Sequence, residues 1–115
     1  MAYSLHGLAN LYREQKKYEQ AELLFQQALQ IREQTMGTQH PGTADILHDF
    51  AIFREAQGNR QDALSLYQRA LTTREAVFGT QHPKASETRT AYAMLLRALG
   101  RHEEADQLEI AQSEL

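Results

Sequence analysis

Five histidines are the residues of this chain best suited to chemistry. Imidazole binds metals and moves protons near neutral pH. His40 precedes Pro41, His82 precedes Pro83, and His6 and His48 stand 42 residues apart. No two histidines are four residues apart, the spacing that puts two ligands on one helix face. The other candidates are equally sparse. Ser65 and Ser86 have no neighbouring His/Asp arrangement to activate a hydroxyl. Glu103-Glu104 reads as a favourable acid pair in a helix's first turn rather than a catalytic dyad. Cysteine is absent, so there is neither a thiolate nor a disulfide framework. The segment Gly37-Thr38-Gln39-His40-Pro41 lacks the second glycine and the lysine of a phosphate loop. These patterns predict no enzyme, no metal site and no cofactor.

That same segment recurs letter for letter as Gly79-Thr80-Gln81-His82-Pro83, an offset of 42 residues. A fixed period in this range marks a stacked repeat array. The offset holds elsewhere: Ala9, Ala51 and Ala93 align, as do Ala21, Ala63 and Ala105, then Leu24, Leu66 and Leu108. Three units are predicted, near 2–43, 44–85 and 86–115. Equivalent histidines then lie about one helix diameter apart, roughly 10 Å. That is too far to share an ion at bonds near 2 Å. His40 and His82 are expected to fix the turn before their prolines, and His6 and His48 to lie on the surface.

Each unit reads as two helices. Ala21, Leu24, Phe25 and Ala28 follow i, i+3, i+4, i+7, and Ala63, Leu66, Tyr67 and Ala70 repeat the pattern. No alternating run is long enough for a strand. Helices are predicted near 2–15, 18–35, 43–57, 60–77, 85–99 and 102–113. Gly58 and Gly100 fall between paired helices, where a left-handed residue closes the first helix. Lys16 holds that position in the first unit, at a cost of roughly 1 kcal/mol relative to glycine. Pro41 and Pro83 suit a first helical turn. The recurring Arg32-Glu33 and Arg74-Glu75 read as solvated ion pairs within or between units. The expected fold class is all-α, a superhelical solenoid.

The bulk numbers exclude classes without choosing one. With 115 residues there is one domain's worth of chain. A net charge of −3 argues against a nucleic-acid surface. No apolar run approaches the roughly 18 residues of a membrane span. The first residues lack the pattern of a secretory signal. Together with the missing cysteines, this predicts a cytoplasmic protein without nucleic-acid or membrane partners.

Leu5-x2-Leu8-Ala9-x2-Tyr12, then Ala21-x3-Phe25-x2-Ala28, resembles the tetratricopeptide repeat (TPR). The 42-residue unit with Gly-x2-His-Pro between pairs resembles the kinesin light chain type. HEAT and armadillo arrays have periods of about 40–47 residues and are the alternative; the Ala/aromatic spacing favours TPR. In the third unit Glu109 and Gln112 replace the aromatic and the alanine, which reads as a partial cap or a fraying end. The chain begins within a first helix, which fits a piece of a longer array.

The resemblance implies a non-catalytic scaffold that binds a peptide or protein segment in a groove lined by the first helix of each pair. Carried across, the groove positions are Tyr3, His6, Gly7, Asn10 and Arg13, then Asp45, His48, Asp49, Ile52 and Glu55, then Glu87, Thr90, Ala91, Met94 and Arg97. One family subset clamps a C-terminal carboxylate with cations and amides. Asn10 fits that set, but Asp49 and Glu87 would repel a carboxylate. A segment with a basic residue beside an apolar one, set against Ile52 and Met94, is expected instead. The competing expectation is a homo-oligomer joined through exposed terminal units, using Leu99, Leu108 and Ile110.

Overall fold

The computed structural model describes residues 2–37 and 39–113, with side chains over 7–37 and 39–110. Six helices follow one another: α1 (Ala2–Glu14), α2 (Tyr18–Met36), α3 (Pro41–Ala56), α4 (Arg60–Phe78), α5 (Pro83–Ala98) and α6 (His102–Ser113). The described residues contain no strand. Helices α3 and α5 begin two residues earlier than predicted, because Pro41 and Pro83 are themselves the first helical residues. Their locked φ and missing N–H suit that position. His40 and His82 are the N-caps. Nδ1 of His40 accepts the Gly42 N–H at 2.9 Å, and Nδ1 of His82 accepts the Lys84 N–H at 3.0 Å. The expectation that these histidines set the turn therefore holds.

The turns within pairs follow from backbone sterics. Gly58 and Gly100 have φ of 85° and 80°, and Lys16 takes the same left-handed region at 61°. Three residues solve one geometric problem, and only Lys16 must force a Cβ into it.

Packing explains the aligned alanines. Ala9, Ala21, Ala51, Ala63, Ala93 and Ala105 are all fully buried. A methyl group at these positions lets paired helices approach closely, and larger side chains fill the space beside them. Between the first and second pairs, the Phe25 ring lies 5.3 Å from Phe50 and 5.4 Å from Phe53. Tyr18 adds a contact with Phe53 at 5.8 Å. Between the second and third pairs, Tyr67 takes the place of Phe25 amid Leu95, Leu96 and Ala93. Each pair thus buries its apolar face against its neighbour, and the molecule extends over 40 × 29 × 18 Å.

Polar groups stitch the same junctions. Arg69 of α4 reaches Glu33 of α2 at 3.2 Å, and Arg54 of α3 pairs with Glu22 of α2. Arg74 departs from the expected solvated pair. Its side chain is buried, bonded to Asp45 at 2.9 Å, the Thr88 hydroxyl at 2.7 Å and the Lys84 carbonyl at 3.2 Å. Its sequence neighbour Glu75 binds the buried Arg89 at 2.6 Å instead. A buried guanidinium needs acceptors, and α3 and α5 bring them to both terminal nitrogens from opposite sides, while Nε is buried without one.

At the far end, Arg97 binds both Asp106 (2.9 Å) and Glu109 (2.7 Å) of α6. Glu109 stands where Phe25 and Tyr67 form the other junctions. Its hydrogen bond from Arg97 holds its carboxyl below the usual carboxylate range. The last helix therefore carries an ion pair at that position in place of the aromatic contact of the other units. Leu99 and Leu108 are half-buried rather than an open apolar face, because they pack onto the core of the second and third pairs.

Candidate functional site

The odd-numbered helices form one row. Helix α1 meets α3 directly, and Asn10 donates its amide to Asp49 at 3.0 Å across that contact. His48 joins α3 to α5, with Nε2 3.2 Å from a Glu87 oxygen. The first helix of every pair therefore shares a common side with its equivalents, and most of the predicted groove residues stand along it.

The structure sorts those residues by environment. Tyr3 and His6 lie outside the residues whose side chains it describes. Asn10, Arg13, Asp45, Asp49, Ile52 and Glu55 are half-buried. Thr90 is exposed, Glu87 is exposed, and Ala91 is half-buried. Met94 is 65% exposed, the most open large apolar side chain described. Arg97 turns toward α6 for its two carboxylates. Ile52 and Met94 occupy the same repeat position, so the row carries an apolar step from α3 to α5.

His48 corrects the expectation of a surface histidine. It is buried beneath the row, with its ring 5.8 Å from Tyr67. A directed chain of hydrogen bonds surrounds it. Arg74 donates to the Thr88 hydroxyl, that hydroxyl faces His48 Nδ1 at 3.1 Å, and Nε2 faces Glu87. The chain is continuous when Nδ1 accepts and Nε2 carries the proton. Burial, reinforced by Arg74, lowers the His48 pKa below 6.5, although Glu87, Asp49 and Asp45 oppose this. The imidazole is therefore a neutral connector between two helices at pH 7.

Two further contacts shape the row. The Tyr67 hydroxyl donates to Glu55 at 3.0 Å. Burial and the Glu55 charge push the phenol far above its ordinary value, so it remains a donor. Asp45 takes Lys84 at 3.7 Å as well as Arg74. Glu55 and Glu87 are thus positioned by neutral side chains, with Arg74 4.0 Å from Glu87. Sequence reasoning missed the roles of Tyr67 and Arg74, which hold the row's carboxylates, and of Thr88, which links Arg74 to His48. The signal for Arg74 was its recurrence with Arg32, without any indication of depth.

Among the described residues, no group of three His, Asp or Glu side chains could hold a metal ion. A recess of about 420 Å³ is lined mainly by α4, through Gln68, Arg69, Thr72 and Thr73, together with Gln39 and Leu47. No described helix is long and apolar enough to cross a membrane.

A profile for the tetratricopeptide repeat matches residues 1–76 and 43–109. The chain belongs to the tetratricopeptide repeat family. None of the curated proteins matches its sequence. Among solved structures, BtubC (BKLC) from P. vanneervenii aligns with a TM-score of 0.89 at 20% identity, over 98% of this chain and 45% of that one. That likeness concerns the fold. A proposed kinesin light chain of Podosopora anserina, with nearly identical TPR-like repeats, aligns with a TM-score of 0.81 at 25% identity. It covers 96% of this chain and 52% of that one. A single-site variant of the same protein gives the same score and identity. This chain spans about half the length of these structures. The array is of the kinesin light chain type, a fold that generally serves as a protein–protein interaction scaffold.

Proposed function

We propose that this TPR array is a non-catalytic scaffold that binds a peptide or protein segment along the row formed by α1, α3 and α5. The observation that carries this is the open side chain of Met94, set beside half-buried Ile52 and Ala91 on a rigid helical surface. An apolar patch rimmed by polar residues, rather than a single exposed side chain, is what marks a contact surface, and Met94 with Ile52 and Ala91 supplies such a patch. The rim is acidic at Asp49, Glu55 and Glu87. A segment with a lysine or arginine next to an apolar residue fits both features, with its apolar side chain on Met94 and its cation near the carboxylates.

The test is selection from a random peptide library, followed by affinity measurement on variants. Met94→Asp is expected to weaken the selected peptides about tenfold or more, since it places a charge in the apolar contact. Asp49→Arg is expected to change which peptides are selected. Unchanged binding by both variants places the binding surface elsewhere.

A further inference from the structure

The row's carboxylates are not equivalent. The Asn10 amide binds Asp49, the Tyr67 hydroxyl binds Glu55, and Asp45 takes both Arg74 and Lys84. These three acids are half-buried. Glu87 differs. Its side chain is 57% exposed, and it faces the Nε2 of His48 at 3.2 Å. Arg74 stands 4.0 Å away but directs its hydrogen bonds to Asp45, Thr88 and the Lys84 carbonyl. Glu87 therefore presents its carboxylate to solvent with acceptor positions to spare.

Its place on α5 matters as much. Glu87, Ala91 and Met94 follow i, i+4, i+7 and share one face of the helix. Two turns, about 10 Å, separate the carboxylate from the exposed Met94. The long arm of a lysine or arginine covers much of that distance, so the cation and the apolar side chain can belong to neighbouring residues of one segment. We infer that Glu87 is the residue of the row that takes the cation of a bound segment, and that His48 positions it, so that binding is linked to the proton on His48. This assignment rests on the scaffold reading of the row and names the carboxylate on which its charge preference depends.

The linkage follows from the hydrogen-bond chain. With His48 neutral, the Thr88 hydroxyl donates to Nδ1 and the Nε2 proton points to Glu87. Uptake of a proton at Nδ1 reverses the first bond. The Nδ1–H then donates to the Thr88 oxygen, and the hydroxyl turns to the Lys84 carbonyl, 3.4 Å from it. The resulting imidazolium pairs with Glu87 and neutralises the charge that a ligand's cation needs. The other charges facing the ring are Asp45 and Asp49 from α3 and Arg74 from α4. Asp45 and Arg74 are bonded to each other, and Asp49 is held by the Asn10 amide. Glu87 is thus the carboxylate for which the proton and the ligand compete. By reciprocity, a cation bound at Glu87 holds His48 neutral by the same factor by which the proton weakens binding.

The test is isothermal titration calorimetry at pH 7.5 and 5.5. The probe is an end-blocked, library-selected peptide with one arginine and neither histidine nor acidic residues. Affinity is expected to fall about fivefold at the lower pH. Glu87→Gln changes an exposed side chain and should leave the helicity unchanged by circular dichroism. It should weaken binding at pH 7.5 about fivefold and remove the pH dependence. His48→Gln should remove the pH dependence while keeping most of the affinity at pH 7.5. Proton NMR of the His48 ring gives the reciprocal reading. Saturating peptide should move its titration midpoint downward in the natural chain and leave it in place in Glu87→Gln. Peptides that bind but ignore Met94→Asp overturn the row as the binding surface, and this assignment with it. Binding that depends on Met94 but is equal at both pH values overturns the assignment alone. So does a pH dependence that persists in Glu87→Gln.

Discussion

Lys16 and His48 show how single residues carry costs that the repeat pattern only half reveals. Lys16 was legible, because Gly58 and Gly100 mark the left-handed position and lysine is the exception. Lys16→Gly is expected to stabilise the array by roughly 0.5–1 kcal/mol. That corresponds to a rise of about 2–4 °C in melting temperature, checked by calorimetry. His48 was legible only as an equivalent of His6. Its burial depends on Thr88 and Glu87, which the fold brings from about forty residues away. Because burial lowers its pKa below 6.5, the unfolded chain takes up the proton first as pH falls. The stability that its neutral form provides is complete above pH 6.5 and is lost as pH falls below it. Melting temperatures measured from pH 7.5 to 5.5 should fall for the natural chain and fall less for His48→Gln. Equal slopes would remove His48 from this account.

Helix placement was readable because its signals are local. The alanine–aromatic spacing fixed the buried faces, and the glycines and prolines fixed the ends to within a few residues. The starts predicted near 43 and 85 fall inside the first turn to which Pro41 and Pro83 were assigned, two residues after the prolines that open it. What joins one pair to the next was less readable, since those contacts cross 14 to 40 residues of sequence. Arg74 illustrates this. Its recurrence with Arg32 was visible, whereas its burial among Asp45, Thr88 and Lys84 was not. Arg74→Ala should strand these partners and cost about 3 kcal/mol in chemical denaturation. Arg101→Ala removes an exposed pair with Glu104 and should leave the denaturation midpoint unchanged. A small loss for Arg74→Ala would mean that the junction is held by its apolar side chains alone.

At the scale of the whole molecule, a repeat array has two ends and one shared row, and its sequence says most about what lies between. Exposure at the ends depends on what stands beside each pair. Leu8 therefore looks like a core residue in the pattern and lies open in the structure. The reverse holds for Leu99 and Leu108, which read as an open face and pack inward. The row of odd helices is intermediate. Its members, exposed Met94 among them, could be named from the repeat positions, but not the inward turn of His48. Binding through this row is the central claim. Its most direct test is a methyl-resolved NMR titration of the chain with a library-selected peptide. The account predicts that signals of Ile52, Ala91 and Met94 shift together and saturably, while those of Leu47 and Thr72, which line the recess on α4, stay in place. Shifts confined to Leu47 and Thr72 would contradict it.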